Sequence, residues 1–94
     1  MMRLLVTPTF KRVVKKLHPA QKVALDEAVR VIADKPEVGE AKLGDLAGVQ
    51  VYKFHMGAML CLLAYRVLSP DTIKLLMVGP HENFYRDLKL TDAP

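Results

Sequence analysis

Residues 59–68, MLCLLAYRVL, form an almost uninterrupted apolar run whose single charge is Arg66. A run this short and this apolar is what a central strand covered on both faces looks like. Strand-like runs flank it at 49–55 and 72–78, and the connections at Met56-Gly57 and Ser69-Pro70-Asp71 are turn signals. Three strands joined so tightly make an antiparallel meander with run 58–68 in the middle. The third run alternates Thr72, Lys74 and Leu76 with Ile73, Leu75 and Met77, which puts Lys74 on the more open face.

The residues before the meander read as a strand and two helices. A short apolar segment at 3–6 ends at Thr7-Pro8, a good helix start with Thr7 as N-cap and Pro8 at the first helical position. Phe10, Val13, Val14 and Leu17 then repeat at i, i+3, i+4 and i+7, while Lys11, Arg12, Lys15 and Lys16 take the other side. His18-Pro19 breaks this helix, because a residue before proline avoids helical dihedrals, and Pro19 can open the next. The second helix is predicted over 20–33, with Leu25, Ala28, Val29 and Ile32 on its apolar face and Asp34-Lys35-Pro36 as its stop. Residues 37–48 hold three glycines and four charged residues without a usable period, so an ordered loop or short irregular element is expected.

The expected architecture is α+β: an N-terminal strand and a two-helix hairpin packed on one face of a four-stranded, mostly antiparallel sheet, with a short C-terminal helix. Ninety-four residues suit one domain spanning 1–94. Two consecutive helices cover only one sheet face, so the opposite face must be sealed by something else or used.

Composition narrows the function classes. With 51% hydrophobic and 26% charged residues the chain is not disordered, and no apolar run is long enough to span a membrane. The opening MMRLLVTP is a poor signal peptide, so a cytoplasmic protein with no membrane partner is expected. A single cysteine, Cys61, lies within the most apolar run, which excludes an internal disulfide and points to a buried thiol. The formal charge is +4, and six basic residues (Arg3, Lys11, Arg12, Lys15, Lys16 and Lys22) precede the first acidic one, Asp26. Such a block is either a solvated helix face or a surface that attracts nucleic acid or an acidic protein segment.

After the meander comes VGPHENFYRDLK, in which Gly79-Pro80 ends the strand and His81, Tyr85 and Arg86 follow. The chemistry-bearing residues on or near the meander are Lys53, His55, Arg66, Lys74, His81, Tyr85 and Arg86, with Lys42 and Asp45 on the loop before it. The set is basic and aromatic and has no carboxylate pair for glycoside hydrolysis. No metal site is expected, because His18, His55 and His81 have no partner at ligand spacing. Without a phosphate-cradling glycine loop or a nucleophile elbow, no nucleotide cofactor or acyl-transfer chemistry is indicated either. The set suits metal-free RNA cleavage. Attack by a ribose 2′-hydroxyl on the adjacent phosphate needs proton transfer and cations around the phosphorane. His81 can transfer the proton, Arg66 with Lys53 or Arg86 can hold the phosphate, and Tyr85 can stack on a base. Against these readings stand a histidine solvated beside a turn, a structural ion pair of Arg66 with Asp45 or Asp87, and edge lysines that are only solvated.

The chain resembles the RelE/ParE superfamily of type II toxin-antitoxin toxins. The resemblance rests on TPTFKRVVKKL, AKLGDLAGVQVYKF, LLAYRV and the terminal VGPHENFYRDL, which follow the family's order over almost the whole chain. The ending is similar to that of YafQ-like mRNA interferases, with a histidine after the last strand and an aromatic four positions later. The resemblance implies catalytic roles for His81, Tyr85 and Arg66, and substrate contacts from Lys53, Arg86, Lys42 and Lys74. It implies no cofactor, with the ribosome and mRNA as targets, or DNA gyrase in the ParE-like alternative; a toxin that only binds its antitoxin is a third possibility. The implied antitoxin is co-encoded, acidic and partly disordered, and would meet Lys11, Arg12, Lys15 and Lys16. Asn83 departs from the pattern, since the YafQ-like ending often has an acid there.

Overall fold

A computed structural model describes residues 2–82 and 84–91; Asn83, where the family pattern has an acid, lies outside them. The elements run β1 (Arg3–Val6), α1 (Pro8–Lys15), α2 (Pro19–Asp34), β2 (Glu40–Ala41), β3 (Val49–Met56), β4 (Met59–Ser69), β5 (Thr72–Pro80) and α3 (Phe84–Thr91). Single turns of 3-10 helix, Pro36–Val38 and Gly44–Leu46, flank β2.

Local signals set the helix starts. The Thr7 hydroxyl accepts the Phe10 N–H at 3.0 Å, as an N-cap does, and donates to the Leu76 carbonyl, so the cap also ties α1 to β5. At α2 the Gln21 side chain accepts the His18 N–H at 2.8 Å with Pro19 at the first helical position.

The sheet order is β1-β5-β4-β3-β2, with β1 parallel to β5 and every other pair antiparallel. The expected four strands are thus five. The extra one, β2, pairs only Glu40 with Val51 and Ala41 with Gln50, and two residues are too few to leave a periodic signal. The Gly79-Pro80 pair closes β5 from inside it, opposite Leu62 and Cys61. β1 reaches only to Leu75, so among the described residues nothing outside this stretch requires the N–H that proline lacks.

Alternation along β4 separates two cores. Cys61, Leu63 and Tyr65 join Ile73, Leu75 and Val78 under Phe10 of α1 and Leu25, Ala28 and Ile32 of α2. Leu62 and Ala64 turn the other way and join Val49, Val51, Leu76 and Met77 under Phe84 and Leu88 of α3, with Leu46 at the margin. The face left uncovered by the hairpin is therefore sealed at its centre by α3. It remains open at the end where β5 hands over to α3.

Candidate functional site

That open end gathers the aromatic and basic groups. The His81 carbonyl accepts the Phe84 N–H at 3.2 Å, and this turn starts α3 with Phe84 driven into the sheet, 1% exposed. Tyr85 follows, half-buried, its ring edge-on to Phe84 at 5.5 Å and to His81 at 6.1 Å between centroids. His81 itself is exposed. Above the Tyr85 ring lies the Lys42 ammonium, 5.0 Å from the ring centre, which also pairs with Glu40 at 3.4 Å. The Lys42 pKa is raised from its ordinary 10.5, chiefly by hydrogen bonding with Tyr85, against partial desolvation and with help from Glu40. Lys42 is thus a fixed cation at neutral pH, suited to meeting negative charge and unsuited to accepting a proton.

Strand register locates the other candidates. Lys53 alternates with Val49 and Val51, so its side chain lies on the α3 face, where it is exposed opposite Leu62, which in turn stands opposite Gly79. His55 is the next residue on that face, opposite Leu60. Because Pro80 stands opposite Cys61, His55 and His81 emerge at the same end of β4.

Arg66 lies further along the sheet, level with the Lys42 backbone, whose N–H donates to the Val49 carbonyl. It stands opposite Val49 and Lys74, about 13 Å along β4 from Leu62 at the usual rise per residue. Its guanidinium donates to the Ala47 carbonyl at 3.1 Å and rests against Gly48. The structure therefore brings His81, Tyr85 and Lys42 together, with Lys53 and His55 on the same open face, while Arg66 and Lys74 stand opposite each other further along the sheet, level with the Lys42 backbone. Asp45 lies 3.5 Å from Lys89, and Asp87 lies 3.6 Å from Arg86. Arg86 projects outward from α3 into solvent.

Glu40 is the site residue that sequence reasoning missed. The signal was available, since Glu40 and Lys42 are two apart in an extended segment and so share a side.

The basic residues of α1, Lys11, Arg12, Lys15 and Lys16, are exposed on the opposite side of the sheet from α3. Lys11 and Lys15 rim an apolar groove of about 310 Å³ formed with Val6, Phe10 and Val14. Among the described residues no three His, Cys, Asp or Glu side chains are grouped as a metal site would need, and no helix is long and apolar enough to cross a membrane.

The structure of the Escherichia coli toxin RelE, an arginine-to-alanine double mutant in the free state, superposes with a TM-score of 0.75 at 15% identity, covering 99% of this chain and 98% of RelE. The intact Escherichia coli RelBE toxin-antitoxin complex matches with a TM-score of 0.71 at 17% identity, covering 87% and 99%. A conserved hypothetical protein of Helicobacter pylori matches with a TM-score of 0.53 at 16% identity, covering 86% and 96%. At these identities the likeness concerns the fold. No curated protein matches the sequence. The family model for the ParE-like toxin of type II bacterial toxin-antitoxin systems matches residues 4–89. The chain belongs to that family, within the RelE/ParE superfamily of toxins.

Proposed function

We propose that this toxin is a metal-independent endoribonuclease that cuts mRNA in the ribosomal A site and is neutralised by a co-encoded antitoxin. The observation that carries this reading is the line of His81, Tyr85 and Lys42 that runs inward from the open end of the sheet face. Cleavage transfers the 2′-hydroxyl proton to a base, forms the O2′–P bond, breaks the P–O5′ bond and protonates the departing 5′-oxygen. His81 exchanges a proton with one of these oxygens, and His55 offers a second imidazole at the same end of β4. Lys42, held charged, and Lys53 face the phosphorane, whose extra negative charge they stabilise more than the ground-state phosphate. Tyr85 orients Lys42 from below and offers its free edge to a base. Arg66 and Lys74 extend the basic surface for the flanking backbone.

The antitoxin reading is supported by the similarity to the RelE of the RelBE complex and by the lysine-rimmed groove on α1. An acidic amphipathic helix fits that groove by burial and by charge. The deciding experiment is primer extension on message from an in vitro translation reaction. Wild-type toxin is expected to cut within the translated frame, and His81→Ala to cut about 100-fold less or weaker still. Intact message at toxic doses would sink the reading.

The matching family model is the ParE-like one, and it favours a second reading, a DNA gyrase inhibitor without chemistry of its own. In that case purified toxin blocks gyrase supercoiling and His81→Ala remains fully toxic.

A further inference from the structure

The outer edge of β3 is only partly covered. β2 pairs with Gln50 and Val51, and among the described residues no strand lies outside 52–56. Lys42 N–H donates to the Val49 carbonyl at 2.9 Å, so Val49 directs its backbone groups outward. By alternation, the N–H and C=O of Lys53 and His55 point the same way, as an open template for another strand.

The two faces beside this edge differ in chemistry. Toward α2, the rings of Tyr52 and Phe54 stack at 6.3 Å and 7° and, with Ala24, Ala28 and Val31, line a groove of about 310 Å³ that Glu27 and His55 also border. Toward α3, the side chains of Lys53 and His55 are exposed. A strand laid along the edge sends alternate side chains to these two faces. One set meets the aromatic floor of the groove, and the other meets basic groups.

We propose that β3 accepts, as an added antiparallel strand, an extended segment of a partner protein in which apolar residues alternate with Asp or Glu. A second copy of this chain fits poorly, since antiparallel pairing of β3 with itself sets its basic residues Lys53 and His55 against the same residues of the copy. The opposite edge, β1, is no equivalent, because the lysines beside it, Lys11 and Lys15, sit on α1 and not on the strand. An acidic strand on β3 covers Lys53. Its consequence, exclusion of RNA by the bound partner, rests on the function proposed above; strand addition itself does not.

The test uses the full-length ¹⁵N-labelled chain and a synthetic peptide of about seven alternating valine and glutamate residues, the length of an ordinary strand. Peptide binding is expected to slow hydrogen exchange at the Lys53 and His55 amides while leaving Tyr52 and Phe54, already paired with β4, unchanged. Lys53→Glu, checked by its amide spectrum to be folded, is expected to weaken binding about 5-fold or more, and a valine–lysine peptide to restore it. Protection at β1 instead, no protection at Lys53 and His55, or equal affinity for the two peptides would overturn the proposal. Neither RNA nor ribosomes enter this assay. Its failure therefore leaves the cleavage reading standing, and an inactive toxin leaves the edge proposal standing.

Discussion

Tyr65 and Arg66, adjacent on β4, leave the sheet on opposite faces and fasten the two ends of one loop. The Tyr65 hydroxyl donates to the Pro36 carbonyl and accepts the Gly39 N–H at 2.9 Å, while Arg66 donates to the Ala47 carbonyl at 3.1 Å. Between these anchors lies Lys42. Its ammonium sits over the Tyr85 ring.

Tyr65→Phe tests the first anchor. Tyr65 is fully buried, and its loss of the hydroxyl strands the Gly39 N–H, also buried, without its acceptor. A cost of about 1–3 kcal/mol is expected, read as a lower urea midpoint at unchanged slope. A change below the resolution of the measurement would mean that the loop re-pairs its backbone elsewhere.

At the second anchor, Gly48 has φ of 91° and a Cβ there would collide with the Arg66 guanidinium. Gly57 has φ of 65° with open space around it. Both alanine variants suffer backbone strain, but only Gly48→Ala must also displace Arg66. Urea unfolding should therefore show Gly48→Ala as the more damaging, by roughly 1–3 kcal/mol against wild type.

The raised pKa of Lys42 makes stability depend on pH in a definite direction. The folded state binds the Lys42 proton more tightly than the unfolded state, so this contribution is complete below the ordinary lysine value of 10.5 and is lost as pH rises through the higher folded value. Thermal unfolding of wild type and Lys42→Met on either side of that range isolates it. The gap between the two should narrow with rising pH, and a constant gap would place the contribution in packing.

Cys61 is 1% exposed, and burial pushes its thiol pKa up. It should react with an aromatic disulfide reagent only at the rate of unfolding in native buffer and at once in urea. Fast native reaction would show that β4 opens locally beneath α2.

Much of this was legible in the chain. Thr7-Pro8, the stripe of Phe10, Val13 and Val14, and the apolar β4 run each carry their meaning in neighbours a few residues away, which is where capping and periodicity act. β2 was not legible, because two residues have no period. The bond from Arg66 to the Ala47 carbonyl was not either, because a carbonyl has no side-chain signature. The set around His81 was half visible, as His81 and Tyr85 are one helical turn apart, while Lys42 comes from a segment about forty residues earlier in the chain.

The sequence by itself determined the elements, their order, the buried faces and the basic character of α1, because these follow from local spacing and from the side chains' solubility. Tertiary structure decided which charges meet. The register of β3, β4 and β5 carried Arg66 to the loop and left Lys53 and His55 toward His81, and the docking of Phe84 and Leu88 laid Tyr85 beneath Lys42. Such pairings depend on long-range strand alignment and on how one apolar face seats on another, and no spacing along the chain encodes either.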